Sequence, residues 1–469
     1  MSRPLWQLDA CALGEQLRQK QLDPVELLTA CEERIGWLNP QLNAIVNFSG
    51  SAAADARASA ERFARGEPLS PIDGLPLVVK DNLVVQAMPA TFGSRLYADY
   101  IPDSDEIPVE RLRRAGAVIV GKTNVPEFCV EGFTDNELFG PTRNPWDPNL
   151  TPAGSSGGSV AAVAAAMVPL AIGTDGGGSI RRPAAFTNLV GLKPSIGRIP
   201  RGGGLPQLLL DMEVVGSLTR TVRDQAMMFD LLAGPDARDH RSRQFGAGAG
   251  SAALTHPFKP LKILAVERFG SAPLDPVIAT SFAQMLDTLS NLGHQVERGP
   301  LPLDIETLNA RWSSIAAIGL ALLLDRDPRM RTLAGKKYLE WAEQQTTGAS
   351  MLDIVETVGA IRDQASLAFE HTDIIMTPTC AAMPWPTGID FPPHIDGQPA
   401  GPRGPAVYTG WVNACGHPAI SVPGAMSPAG MPIGMQFVGD FGQDERLLQL
   451  AAQIEQAQPW AEQWPAIAS

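Results

Sequence analysis

Apolar positions along this chain keep two rhythms. In the first 65 residues they recur at helical spacing: Leu27, Leu28, Cys31 and Ile35 form one stripe. Asp23-Pro24-Val25-Glu26, just before it, supplies an N-cap, a proline at the first helical position and a capping-box glutamate. The alanine-rich, charge-studded segment 51–65 predicts a second helix. Short apolar runs at 43–48, 75–79 and 117–120 predict strands, the last after a helix end at Leu112-Arg113-Arg114-Ala115 capped by Gly116. Residues 160–167 are apolar on every face, which predicts a central helix, and 169–172 predict a buried strand that delivers Thr174 to a turn. A strand at 261–266 and a helix at 276–292 resume the alternation. Short buried strands alternating with helices predict an α/β core. Residues 237–256, with Gly246-Ala247-Gly248-Ala249-Gly250, predict a surface loop, and the Pro- and Gly-rich segment 384–404 a long one.

Composition narrows the class. Of 469 residues, 44% are hydrophobic and 19% charged, enough for a sizeable core and unlike a disordered chain. A net charge of −13 argues against a nucleic-acid groove and against binding to an anionic membrane surface. The longest unbroken apolar run, 160–172, is too short to cross a bilayer and contains Pro169. The first residues lack the apolar core of a secretory signal, so a cytoplasmic location is expected. Five scattered cysteines form no CxxC pair, which predicts neither a metal site nor a disulfide framework. Cys415, near His417, reads as a buried thiol.

Two glycine-flanked serines carry the chemistry. Gly154-Ser155-Ser156-Gly157-Gly158 and Asp175-Gly176-Gly177-Gly178-Ser179-Ile180-Arg181 place Ser155 and Ser179 24 residues apart, with all six histidines well downstream. Lys80 follows the apolar run Leu77-Val78-Val79, which draws it inward. Burial lowers a lysine pKa, and a neutral amine serves as a base where an ammonium cannot. Asp81 opposes that shift if it faces the amine. The N–H groups of Gly176, Gly177, Gly178 and Ser179 can converge on one point, as an oxyanion hole requires, and a helix opening at Ser179 adds positive potential. Neither stretch is a P-loop or a GxGxxG fingerprint. Residues 154–158 do match the GxSxG elbow with Ser156 at the centre, which leaves a triad with a downstream histidine open. That alternative gives no role to Lys80 or to the second glycine cluster. Ordinary glycine-rich turns are the plain structural alternative for either stretch alone.

With Asp73-Gly74-Leu75-Pro76, Gly121-Lys122-Thr123-Asn124, Asn144-Pro145-Trp146, Gly191-Leu192-Lys193-Pro194 and Met431-Pro432-Ile433-Gly434-Met435-Gln436, these segments resemble the amidase signature family over roughly residues 8 to 455. Ala153 departs from the pattern, since many members have glycine there. The resemblance implies one α/β/α layered domain over residues 1–469, with a mixed central sheet behind the helical region 1–65. It implies Ser179 as nucleophile, Ser155 after a cis peptide bond as relay, and Lys80 as terminal base, with no cofactor and no metal. Asp175 and Arg181 are expected to support the nucleophile loop, and Asn82, Thr151 and Ser156 to support the relay.

The activity this implies is hydrolysis of carboxamide C–N bonds, aryl amides included. Esters and carbamates (urethanes) share the tetrahedral chemistry. The glutamine-hydrolysing component of an amidotransferase is the alternative within the family, and a catalytically silent scaffold the alternative outside it. The expected partner is a small-molecule substrate, with a homodimer as the candidate assembly. Segments 88–92, 133–139 and 202–210, with Trp312, are candidate pocket walls.

Overall fold

The computed structural model describes residues 3–344 and 346–468. Its strands are β1 (Ile45–Phe48), β2 (Pro76–Lys80), β3 (Val118–Thr123), β4 (Leu170–Asp175), β5 (Val190–Lys193), β6 (Val214–Thr219), β7 (Lys262–Ala265), β8 (Gln295–Arg298), β9 (Ile374–Pro378), β10 (His394–Ile395), β11 (Gln398–Pro399), β12 (Ala419–Met426) and β13 (Pro432–Gly439). Eleven form one sheet in the order β1-β3-β2-β4-β6-β5-β12-β13-β9-β7-β8, and β10 with β11 makes a separate hairpin. Toward one edge β3, β2 and β4 run parallel; toward the other β9, β7 and β8 do; antiparallel pairs fill the middle. The sheet is therefore mixed, as expected.

Every residue of β2, β3, β4 and β9 is buried, as strands covered on both faces must be. Alternate side chains of β2 enter different cores. Leu77 and Val79 join one apolar cluster with Ile119 and Ile172. Val78 joins another with Val160, Ala161 and Ala171, on the side of the helix Gly157–Ala164. Strand periodicity carries Lys80 to the same side as Val78. Because β4 runs parallel to β2 and β6 antiparallel to β4, the end of β2, the end of β4 and the start of β6 share one edge of the sheet. The site is built there.

Helices Ala10–Arg18, Pro24–Leu42 and Ala52–Arg65 occupy the N-terminal region, and the Asp23 carboxylate accepts from Val25 N at 2.8 Å as the capping pattern predicts. Two expected loops carry structure. Residues 237–256 contain a 3-10 turn (His240–Gln244) and a short helix (Gly250–Ala253), with Asp239 and Ser242 buried. Their backbone needs are met internally, for example by Asp230 beneath Gly250 and Ser251. Residues 384–404 contain the β10–β11 hairpin. The helix Ile305–Arg326 is long and apolar enough to cross a membrane by composition, though no unbroken apolar run revealed it. Half of its most apolar window is buried, and Leu308, Trp312 and Ile315 pack into the fold.

Candidate active site

Lys80 ends β2 with no exposed surface. Its Nζ lies 2.7 Å from Ser155 Oγ, 2.9 Å from Thr174 Oγ1 and 3.2 Å from Thr174 O. No carboxylate touches it among the described residues. Asp81 turns the other way, onto Lys122 Nζ at 3.2 Å, and accepts from the N–H and hydroxyl of Thr91. Burial drives the Lys80 pKa below the usual 10.5. Cys129, Glu213 and Asp175 partly oppose the shift, and Arg201 reinforces it. A buried amine held by hydroxyls and a carbonyl is poised to lose its proton.

Ser155 follows a cis Gly154–Ser155 peptide bond. A side chain at Gly154 would collide with the Phe133 carbonyl, so part of the 133–139 segment forms the floor beneath this turn. Ala153 adopts φ +64°, the left-handed region that favours glycine. The Thr151 hydroxyl accepts from Ala153 N at 3.1 Å and steadies the same turn. Ser156 donates its hydroxyl to Thr174 O and its N–H to Ser179 O, each at 3.2 Å. Neither partner is a histidine, so the elbow alternative finds no triad at Ser156.

The loop after β4 is organised by Asp175. Its carboxylate accepts from Gly178 N (2.7 Å), Ile180 N (3.1 Å), Asn413 Nδ2 (2.9 Å) and Arg181 Nη2 (2.8 Å). Burial pushes its pKa up, but the Arg181 charge and the hydrogen bonds from Arg181 and Asn413 overcome this and hold it well below the usual carboxylate range. Arg181 in turn donates to Thr409 O, Gln436 Oε1 and Asn413 Oδ1. Asp175 and Arg181 thus join the loop to the segments that carry Thr409, Asn413 and Gln436.

Two expectations need correction. The Gly178 N–H faces Asp175 and is not free for a substrate oxygen, so the candidate oxyanion donors narrow to Gly176, Gly177 and Ser179. The helix after the Ser179 loop is Arg181–Thr187, and Asp175 caps its start, so its first N–H groups serve the fold. Ser179 is 6% exposed. Among the described residues its hydroxyl forms no hydrogen bond with Ser155; the two serine segments meet instead through Ser156 N and Ser179 O.

A family profile described as Amidase matches residues 26–448. The chain belongs to the amidase family. It is 34% identical to the A component of the glutamyl-tRNA(Gln) amidotransferase of Synechococcus sp. (strain CC9605), over 95% of each chain. It is 33% identical to an acylamidase of Rhodococcus erythropolis, over 98% of this chain and 97% of that one. A bacterial aryl acylamidase of the amidase signature family superimposes with a TM-score of 0.91 at 29% identity, covering 98% of both chains. A 6-aminohexanoate cyclic dimer hydrolase superimposes with a TM-score of 0.88, also at 29% identity, covering 99% of this chain and all of that one. This amidase is accordingly a hydrolase acting on carbon–nitrogen bonds, with the layered α/β fold of those enzymes.

Several neighbours of the amidase's lysine escape a reading of the sequence. Thr174 is visible there only as part of a motif, yet it touches Lys80 twice. Asn82, expected as a support, bridges Thr174 Oγ1 and Glu213 Oε1 at 2.9 Å each. Glu213 carries no motif; it also holds Arg201 (2.8 Å), which pairs with Glu106 (2.8 Å). This buried chain of charges ties the start of the 202–210 segment to Asn82 and, through Thr174, to Lys80. The Cys129 thiol, equally unmarked, stands by Lys80 and Ser155, where burial pushes its pKa up to about 12, so it stays protonated.

Proposed function

We propose that Ser179 is the nucleophile of this amidase and that Ser155 and Lys80 move its proton. Neutral Lys80 accepts the Ser155 proton while Ser155 accepts that of Ser179, and Ser179 Oγ adds to the amide carbonyl. The N–H groups of Gly176, Gly177 and Ser179 receive the developing oxyanion. The relay then protonates the departing amine, and water cleaves the acyl-enzyme along the same path. The relay needs the Ser179 and Ser155 hydroxyls to meet, and such contacts tighten when substrate binds. The observation that carries the proposal is the 2.7 Å contact between Ser155 and a fully buried lysine that has no carboxylate partner among the described residues.

The substrates are small-molecule carboxamides, aryl amides among them; esters and carbamates follow from the same tetrahedral chemistry. Aryl amides are favoured by the likeness to the aryl acylamidase. A second reading, glutamine hydrolysis for a partner amidotransferase, is favoured by the amidotransferase relatives. Turnover of a p-nitroanilide by the purified chain, abolished in Ser179→Ala along with labelling by a fluorophosphonate, is the expected result. Glutaminase activity with no anilide turnover would favour the second reading. Undiminished turnover by Ser179→Ala would remove the first.

A further inference from the structure

Two guanidinium groups beside the nucleophile loop have buried nitrogens with no protein partner among the described residues. Arg182 is 7% exposed; its Nε is buried and unpaired, and its side chain donates to no described residue. The Arg403 Nε and Nη2 are likewise buried and unpaired. Arg182 lies directly against this loop, and Arg403 is linked to it through Trp312. A Cβ on Gly178 would sit 2.7 Å from Arg182 Nε, and one on Gly177 would sit 2.9 Å from Trp312 Cζ2. Trp312, expected as a pocket wall, lies beneath Arg403, whose guanidinium carbon is 4.5 Å from the ring centroid. A Cβ on Gly410 would meet both Arg403 Nη2 (2.7 Å) and Trp312 (3.0 Å).

The nearby carboxylates already have partners. Asp175 is held by Arg181 and Asn413. Glu131, which feels the Arg182 charge, is paired with Lys337, and Lys337 also holds Asp390 at 2.6 Å. Burial and the neighbouring Arg182 charge pull the Arg403 pKa down to about 9. Burying an unpaired charge is costly, and burying two that repel each other is worse. A ligand anion relieves both. Arginine is also the residue whose planar fork matches a carboxylate.

We propose that Arg182 and Arg403 form a carboxylate-binding pocket beside Ser179, so that the preferred substrates of this amidase are amides that carry an anionic carboxylate group. The inference rests on the catalytic reading above and names its substrate class. Among such amides it ranks glutaramate above free glutamine, whose α-carboxylate suits the pair but whose α-ammonium would meet two cations.

The test measures kcat/KM for matched amides in which a carboxylate replaces a terminal methyl. On the acyl side, succinamate, glutaramate and adipamate are compared with butanamide, pentanamide and hexanamide. On the amine side, N-butanoyl-β-alanine is compared with N-propylbutanamide. At least one carboxylate member should exceed its neutral counterpart by about fivefold or more, the scale of a charge-assisted contact. Arg403→Met and Arg182→Gln should each bring that ratio below about fivefold. A ratio below about fivefold in every wild-type pair overturns the proposal. So does a ratio that survives both substitutions, or glutamine turned over faster than glutaramate. The wild-type comparison stands even where a variant fails to fold. Absence of turnover on every amide, neutral ones included, would instead count against the catalytic reading.

Discussion

Lys80 and Lys122 sit on neighbouring parallel strands, and neither has exposed surface. Burial lowers the pKa of both. Their surroundings then part. Lys122 faces the Asp81 carboxylate at 3.2 Å and the carbonyls of Asp81 and Pro89 at 3.3 Å, which favour an ammonium. Lys80 faces two hydroxyls and a carbonyl, and its nearest charged influences act from farther away. Residue type and burial are the same, so the partner decides the task. A lysine with a contact carboxylate is a structural cation, and one with only uncharged oxygens in contact is a candidate base.

The sharpest way to break the comparison is to remove each amine in turn. Lys80→Met should lower kcat/KM by roughly 10²–10⁴, the range for a lost general base, with unfolding by urea little changed. Lys122→Met should instead cost about 3–5 kcal/mol of stability, because Asp81 is left buried and unpaired. The comparison fails if Lys80→Met keeps wild-type rates. It fails equally if Lys122→Met unfolds at the wild-type urea concentration.

A smaller effect follows from pH. The folded-state pKa of Lys80 lies below 10.5, so the amine gives up its proton at lower pH than an ordinary lysine does. Activity should climb about tenfold per pH unit below that midpoint and then level off. A rate that begins to rise only above pH 10.5 would contradict a base whose pKa burial has lowered. The stability sign is the same: the folded protein binds fewer protons at Lys80 than the unfolded chain does. Stability contributed by this group therefore rises with pH between the lowered value and 10.5.

The half of this comparison that sequence disclosed is the half set by local rules. An apolar strand leading into Lys80 announced its burial, and glycines around Ser155 and Ser179 announced two unusual turns. Asp175 and Arg181 are legible as supports because they share one loop. Partner choice is not legible. Whether Asp81 faces Lys80 or Lys122 depends on how three strands align, and Glu213 reaches Asn82 across 131 positions. The Gly178 N–H looks free in the sequence because its acceptor lies three residues back on a side chain, not on the backbone. Arg403 passes unremarked in a Pro- and Gly-rich segment, since only the folded chain brings it over Trp312.

The remaining contrast between the two lysines is the weak carboxylate influence that Lys80 does feel. Glu213 raises its pKa, while Arg201, bound to Glu213 at 2.8 Å, lowers it. Glu213→Gln keeps an oxygen for Asn82 and Arg201 but removes the negative charge. Arg201 keeps Glu106 as its ion-pair partner, so the stability cost should stay near 1–3 kcal/mol, roughly that of one weakened charged hydrogen bond. With the anion gone and Arg201 still cationic, the neutral amine gains ground, and the pH–rate midpoint should move to lower pH by less than about one unit. A midpoint that moves to higher pH would mean that Glu213 shapes the site by position alone. An unmoved midpoint would mean that the groups touching Lys80 set its proton affinity unaided, which would sharpen the contrast with Lys122.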